Sequence, residues 1–210
     1  MFCRFDLIQP FLISLAVILP PTIKMITRDE LIKQISSTLG KTKVLELSRI
    51  LKEQKFSLHD LIDLTFYTDR DIAFRAAWIL ETVFLKDPTR YEIELGYLIS
   101  RIQDVRYASC QRHYAKILMH ITASKAPLVI RQNLQQLDLK PAVEQCFDWL
   151  IDPKVKIAVK VFASEALFNI RHLYPWIEEE LANQIKFLMK NGSAAIQSRG
   201  RKLLGKLARG

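Results

Sequence analysis

From Thr27 onward, apolar residues recur at helical spacing along nearly the whole chain. Leu31, Ile32, Ile35 and Leu39 fall on one stripe; Thr27 and Glu30 form a capping box before it, and Gly40 is a stop after it. This predicts a first helix over Thr27–Leu39. Leu45, Leu47, Ile50 and Leu51 predict a second over Lys43–Glu53. Ser57 caps a third, Leu58–Phe66, and the acidic turn Asp69-Arg70-Asp71 opens a fourth that runs to Lys86. After the turn at Asp87-Pro88, the same reasoning predicts helices over Tyr91–Ile102, Val105–Ile121 and Leu128–Leu134. Further helices follow over Pro141–Ile151, Lys154–Arg171 and Pro175–Met189, and a last one runs from Ser193 to the C-terminus.

No stretch alternates apolar and polar residues as a half-buried strand would. The expected class is therefore all-α, with about eleven helices. Links of two to six residues make successive helices antiparallel neighbours.

The later helices share a pattern. One reads Asp69, Ile72, Arg75, Ala76, Ala77, Leu80, and a second runs from Val105 through Arg112 to Ile117 and Leu118. A third reads Asp152, Val155, Lys160, Ala163, Leu167, and the last Ile196, Arg199, Leu203, Leu204. The anchoring bases at 75, 112, 160 and 199 recur at intervals near 40 residues, with one long interval that holds the extra turns around Leu134–Pro141. A two-helix unit of that period is the mark of HEAT and armadillo arrays. Residues 60–207 resemble the HEAT pattern, which implies a short α-solenoid. The segments at Arg75–Glu81, Cys146–Ile151, Lys156–Val161 and Arg199–Leu204 are similar to those of a family of small HEAT-like proteins of Bacteroidetes. Some of these carry the label adenylosuccinate lyase. The chain is about half a lyase subunit in length, and the lyase's mobile-loop signature does not occur in it.

Residues 25–210 are read as one repeat domain, and residues 1–24 stand apart. Phe11–Leu19 is an apolar run, too short for a bilayer, which takes about 20 residues. It has a signal-like core behind Arg4, but Asp6 interrupts the approach and no small-x-small cleavage site follows. Three readings stand: a start codon assigned too early, a signal or membrane-associating segment, and a docked apolar arm. The Bacteroidetes family begins near the equivalent of Met25, which favours the first.

Composition adds two constraints. Six glycines and eight prolines among 210 residues are too few for an all-β chain. Three cysteines without a CxxC pair argue against a disulfide framework, so a reducing, cytoplasmic setting is expected, with export as the alternative if residues 1–24 act as a signal. Charge is polarised. Residues 26–100 carry 11 bases and 12 acids, whereas residues 101–210 carry 18 bases and 9 acids. Such asymmetry points to an acidic partner.

Candidate chemistry is sparse. Cys110 and His113, one turn apart, with His120 beyond, suggest zinc ligands, but no fourth ligand is near and no metal or cofactor is expected. Glu178-Glu179-Glu180 suits a helix N-terminus. Trp78 and Trp149 read as core anchors and Trp176 as partly exposed. No phosphate loop, nucleophile elbow or HExxH occurs. The remaining signal is basic: Arg112, Lys156, Lys160, Arg199, Arg201, Lys202 and Lys206 are the candidate surface. Arg199, Lys202, Lys206 and Arg209 share one helical face, and no acid follows Glu180. The expected function is a non-enzymatic scaffold for an unknown protein partner. The alternative is nucleic-acid binding, by fold-level analogy with HEAT-like DNA glycosylases.

Overall fold

The structure is a computed structural model that describes residues 25–37 and 40–209. The apolar run at 11–19 lies outside the described residues, as does any test of how residues 1–24 arise. The helices are α1 (Arg28–Ser36), α2 (Gly40–Glu53), α3 (Leu58–Leu64), α4 (Arg70–Lys86), α5 (Leu95–Ser100) and α6 (Ala108–Ile121). They continue with α7 (Leu128–Gln136), α8 (Lys140–Ile151), α9 (Ile157–Ile170), α10 (Trp176–Lys190) and α11 (Ala194–Leu207). These are the eleven expected helices.

Local chemistry sets their starts. Thr27 accepts from the Glu30 amide while the Glu30 carboxylate accepts from the Thr27 amide at 2.9 Å, closing the capping box of α1. Ser57 accepts from the Asp60 amide ahead of α3, and Asp69 accepts from the amides of Asp71 and Ile72 ahead of α4. Gly40 enters α2 at φ +78°, a conformation that a side chain would strain.

Five expectations need correction. The second helix begins at Gly40, three residues before Lys43, so Gly40 opens that helix instead of serving only as a stop after the first. A two-residue parallel pair joins β1 (Met25–Ile26) to β2 (Lys55–Phe56), in register Met25 with Lys55 and Ile26 with Phe56. Each strand leads directly into a capping residue, Thr27 or Ser57, and two residues are too few to show a period. The fifth helix is shorter than 91–102. Pro88–Glu94 and Ile102–Asp104 are 3-10 turns on either side of α5, and Tyr91 leaves helical geometry at φ −116°, ψ 21°. Its ring lies between Phe56 and Phe84, at 6.2 and 6.1 Å, so packing overrides the helical path. Finally, α6 and α9 each begin three residues late, because Val105 and Val155 stay extended or turned to bury their side chains in the link.

The helices form two layers. In one, α2 packs on α4, α4 on α6, α6 on α9 and α9 on α11; in the other, α3, α8 and α10 back their successors, and α7 leans on the turn Pro88–Glu94. Ala73, Ala76, Ala77, Ala115, Ala163 and Ala166 are buried where neighbouring helices approach closely, and Leu and Ile fill the space between them. At the last contact, a side chain on Gly200 would overlap Met189 Sδ.

Side-chain hydrogen bonds stitch each repeat to the one before. Arg75 Nη1 donates to Ser36 O at 2.9 Å, at the end of α1, and Arg90 to Lys52 O, at the end of α2. Tyr107 donates to Tyr67 O and Thr68 O just after α3, and Asn169 to Met119 O at the end of α6. The sequence separations are 39, 38, 40, 39 and 50, about one repeat each. The last carbonyls of a helix have no partner within it, and these donors supply one.

Candidate interaction surface

The second helix of each pair leaves one stripe turned away from the layer behind it. On α4 this stripe holds Phe74, Arg75, Trp78 and Thr82; on α6, Ser109, Arg112 and Lys116. On α9 it holds Val161, Phe162, Glu165 and Phe168, and on α11, Arg199, Lys202 and Lys206. Together these stripes make the inner face of the array.

Its centre is a buried polar trio between α4 and α6. The Glu81 carboxylate, 10% exposed, meets His113 Nδ1 at 2.7 Å and Lys116 Nζ at 2.5 Å. Burial alone would raise the Glu81 pKa, but the hydrogen bonds from His113 and Lys116 outweigh it and the net direction is down. Trp78 stacks on the His113 ring at 6.4 Å and Phe74 lies 5.6 Å from it. The trio therefore sits behind two half-buried aromatic rings. No signal within either helix joins residue 81 to residue 113; only the stacking of α4 on α6 brings them together.

The α11 side of the face is fixed by two contacts with α9. Arg199 Nη1 lies 2.9 Å from Glu165 Oε1, and Lys206 Nζ lies 5.1 Å from the centre of the Phe168 ring. Arg171 covers the same ring at 4.1 Å.

The seven bases of the candidate surface fall into different places. Arg112, Lys156 and Lys202 are exposed and make no side-chain hydrogen bond or ion pair among the described residues. Arg199 is 51% exposed but paired, and Lys206 rests on Phe168. Arg201 turns to the α10 side of its helix, 3.5 Å from Gln197 Oε1. Lys160 is only 6% exposed, and its amine donates to Leu150 O at 2.7 Å, at the end of α8. It is removed from the surface, and burial lowers its pKa. Arg75 likewise caps α1, within 3.9 Å of Asp71. Two of the four anchoring bases thus satisfy helix ends, and no continuous basic groove joins Arg112 to Arg199 through Lys160.

The other candidates resolve simply. Cys110 Sγ points to Thr65 O while His113 turns to Glu81, and among the described residues no group of three His, Cys, Asp or Glu could hold a metal. Burial raises the Cys110 thiol to about 11 and the Cys146 thiol to about 12. Glu178 lies in the first turn of α10, 3.8 Å from Arg171. Trp149 is a core residue, and Trp176 is 49% exposed over Phe147. No helix among the described residues is long and apolar enough to cross a membrane.

Comparison with curated proteins and with solved structures returned no match. The family model for the HEAT repeat domain matches residues 31–207, which runs from α1 to the end of α11 and covers the stitched two-layer array. This chain therefore belongs to the HEAT repeat domain family.

Proposed function

We infer that the protein is a non-enzymatic scaffold that holds another protein against the inner face of its array. The observation that carries this reading is the face itself: half-buried Phe74 and Trp78 on α4, and on the packed neighbour α6 the exposed Arg112, which has no hydrogen-bond or ion-pair partner among the described residues. Aromatic and arginine side chains on a fixed surface are the residue types that dominate protein interfaces. Aliphatic stems on Lys116 and Lys206 extend the apolar area beneath their charged heads.

The supporting experiment is affinity purification of the tagged protein from its native host at gentle salt, with a second bait of unrelated sequence. Specific, stoichiometric retention of a partner protein is expected. Retention of nothing above the second bait removes the reading. Retention of nucleic acid alone, released by nuclease, replaces it with the nucleic-acid alternative. Against that alternative stand the burial of Lys160 and the pairing of Arg199 with Glu165, which interrupt a phosphate track.

A further inference from the structure

The inner face is polarised in a way that the family fold does not require. From α6 to α11 its stripe carries Arg112, Lys116, Arg199, Lys202 and Lys206, and among the described residues one acid, Glu165, which is mostly buried and paired with Arg199. Lys116 is committed to Glu81 and Arg199 to Glu165, whereas Arg112 and Lys202 have no partner among the described residues. The rings of Phe162 and Phe168 belong to α9, which packs between α6 and α11, and Trp78 belongs to α4 on the other side of α6; all three are packed partly into the core. Free bases thus stand at both ends of a strip whose middle is aromatic.

We propose that this strip binds an acidic, apolar-bearing peptide segment of a partner protein, with carboxylates at Arg112 and Lys202 and apolar side chains over the rings between them. The proposal rests on the scaffold reading and names the partner's chemistry. Packed helices lie about 8–10 Å apart, so α6 and α11, two steps apart, are separated by roughly 20 Å. An extended chain rises about 3.3 Å per residue, so roughly six residues cross that distance. A peptide can alternate carboxylates and apolar side chains at this spacing. A phosphate backbone presents uniform negative charge and meets Glu165 in the middle of the strip, which disfavours it there.

The lysines of α10 provide an internal control. Lys186 and Lys190 are exposed and have no hydrogen-bond or ion-pair partner among the described residues, and they belong to the other layer. If net charge alone attracts an acidic chain, reversing them has the same effect as reversing the inner pair.

The test uses the full-length protein and a fluorescein-labelled peptide of about twelve residues, a repeated Glu-Leu-Glu-Phe, read by anisotropy at low and physiological salt. The Arg112→Glu/Lys202→Glu protein should bind about tenfold more weakly or worse, since like charges facing each other across an interface are strongly disfavoured. The Lys186→Glu/Lys190→Glu protein should bind within about twofold of the unaltered chain. Neither pair removes a side-chain hydrogen bond or ion pair among the described residues, and matched thermal midpoints confirm folding; Arg112→Ala/Lys202→Ala is the milder second pair. Equal loss in the inner and α10 variants overturns the proposal. So does tighter binding of a single-stranded DNA oligonucleotide, weakened by the inner pair. The host partner separates this proposal from the reading beneath it. If the partner is still captured by the Arg112→Glu/Lys202→Glu protein, the scaffold stands and this strip is wrong. If the peptide binds as described but no host protein is captured, the strip stands and the scaffold reading falls.

Discussion

Replacing Glu81 by Gln should destabilise the array more than any other single polar change at the inner face. The carboxylate is 10% exposed and accepts from two donors on the next helix, His113 at 2.7 Å and Lys116 at 2.5 Å. A hydrogen bond to a charged group contributes about 1.5–3 kcal/mol, and removing one partner of a buried pair costs about 3–5 kcal/mol. Lys116 is 29% exposed, so water recovers part of its loss, and Gln keeps one acceptor. The net expectation is a loss of about 2–3 kcal/mol near neutral pH. For a chain of this size that is a fall in Tm of roughly 4–12 °C. The pH dependence gives a second handle. The folded Glu81 pKa lies below its ordinary 4.5, so its contribution is fully present above that value and is lost as pH falls through the folded value. Urea unfolding followed by far-UV circular dichroism, at about pH 7 and about pH 3, checks both points. The gap between the unaltered protein and Glu81→Gln should narrow on acidification. A difference below about 0.5 kcal/mol near neutral pH, or one that does not change with acid, would refute the reasoning.

Other outcomes follow from the same contacts. Arg75→Met removes the donor from Ser36 O and should cost about 1–2 kcal/mol by urea unfolding, while Arg201→Met, whose nearest acceptor lies 3.5 Å away, should cost less than about 0.5 kcal/mol. Gly200→Val places atoms against Met189 and Ile185; it should cost about 1–3 kcal/mol and expose α11 to limited proteolysis before the rest of the array. Cys110 and Cys146 should stay unlabelled by a thiol reagent near neutral pH in the folded protein and react together in denaturant.

Much of this architecture was legible residue by residue. Thr27 and Ser57 cap the helices that the sequence has them cap, and Asp69 caps the helix that the acidic turn opens, because an N-cap is a local bargain between one side chain and the next few amides. What failed was set by distant packing. Tyr91 breaks a helical pattern because its ring fits between Phe56 and Phe84, which lie on other elements. The strand pair is too short to carry a period. The repeated bases show the same limit. Their spacing marks the repeat, but spacing does not name a partner: Lys160 reads as a surface charge in the sequence, whereas in the fold its amine lies 2.7 Å from Leu150 O. The Glu81, His113 and Lys116 trio is beyond sequence reasoning of this kind, since it exists only in the register of α4 on α6. For the surface, Arg112, Arg199, Lys202 and Lys206 were found by charge alone, whereas Phe74 and Lys116 needed the stacked helices to join them.

A protein partner held on the inner face of the array lies within reach of the lysines there. Cross-linking of the purified native complex through lysine side chains, read by mass spectrometry, locates it. Links to the partner should concentrate on Lys202 and Lys206, which lie on the inner stripe of α11. Links concentrated on Lys186 and Lys190 of α10, with Lys202 and Lys206 unmodified by the partner, would contradict it.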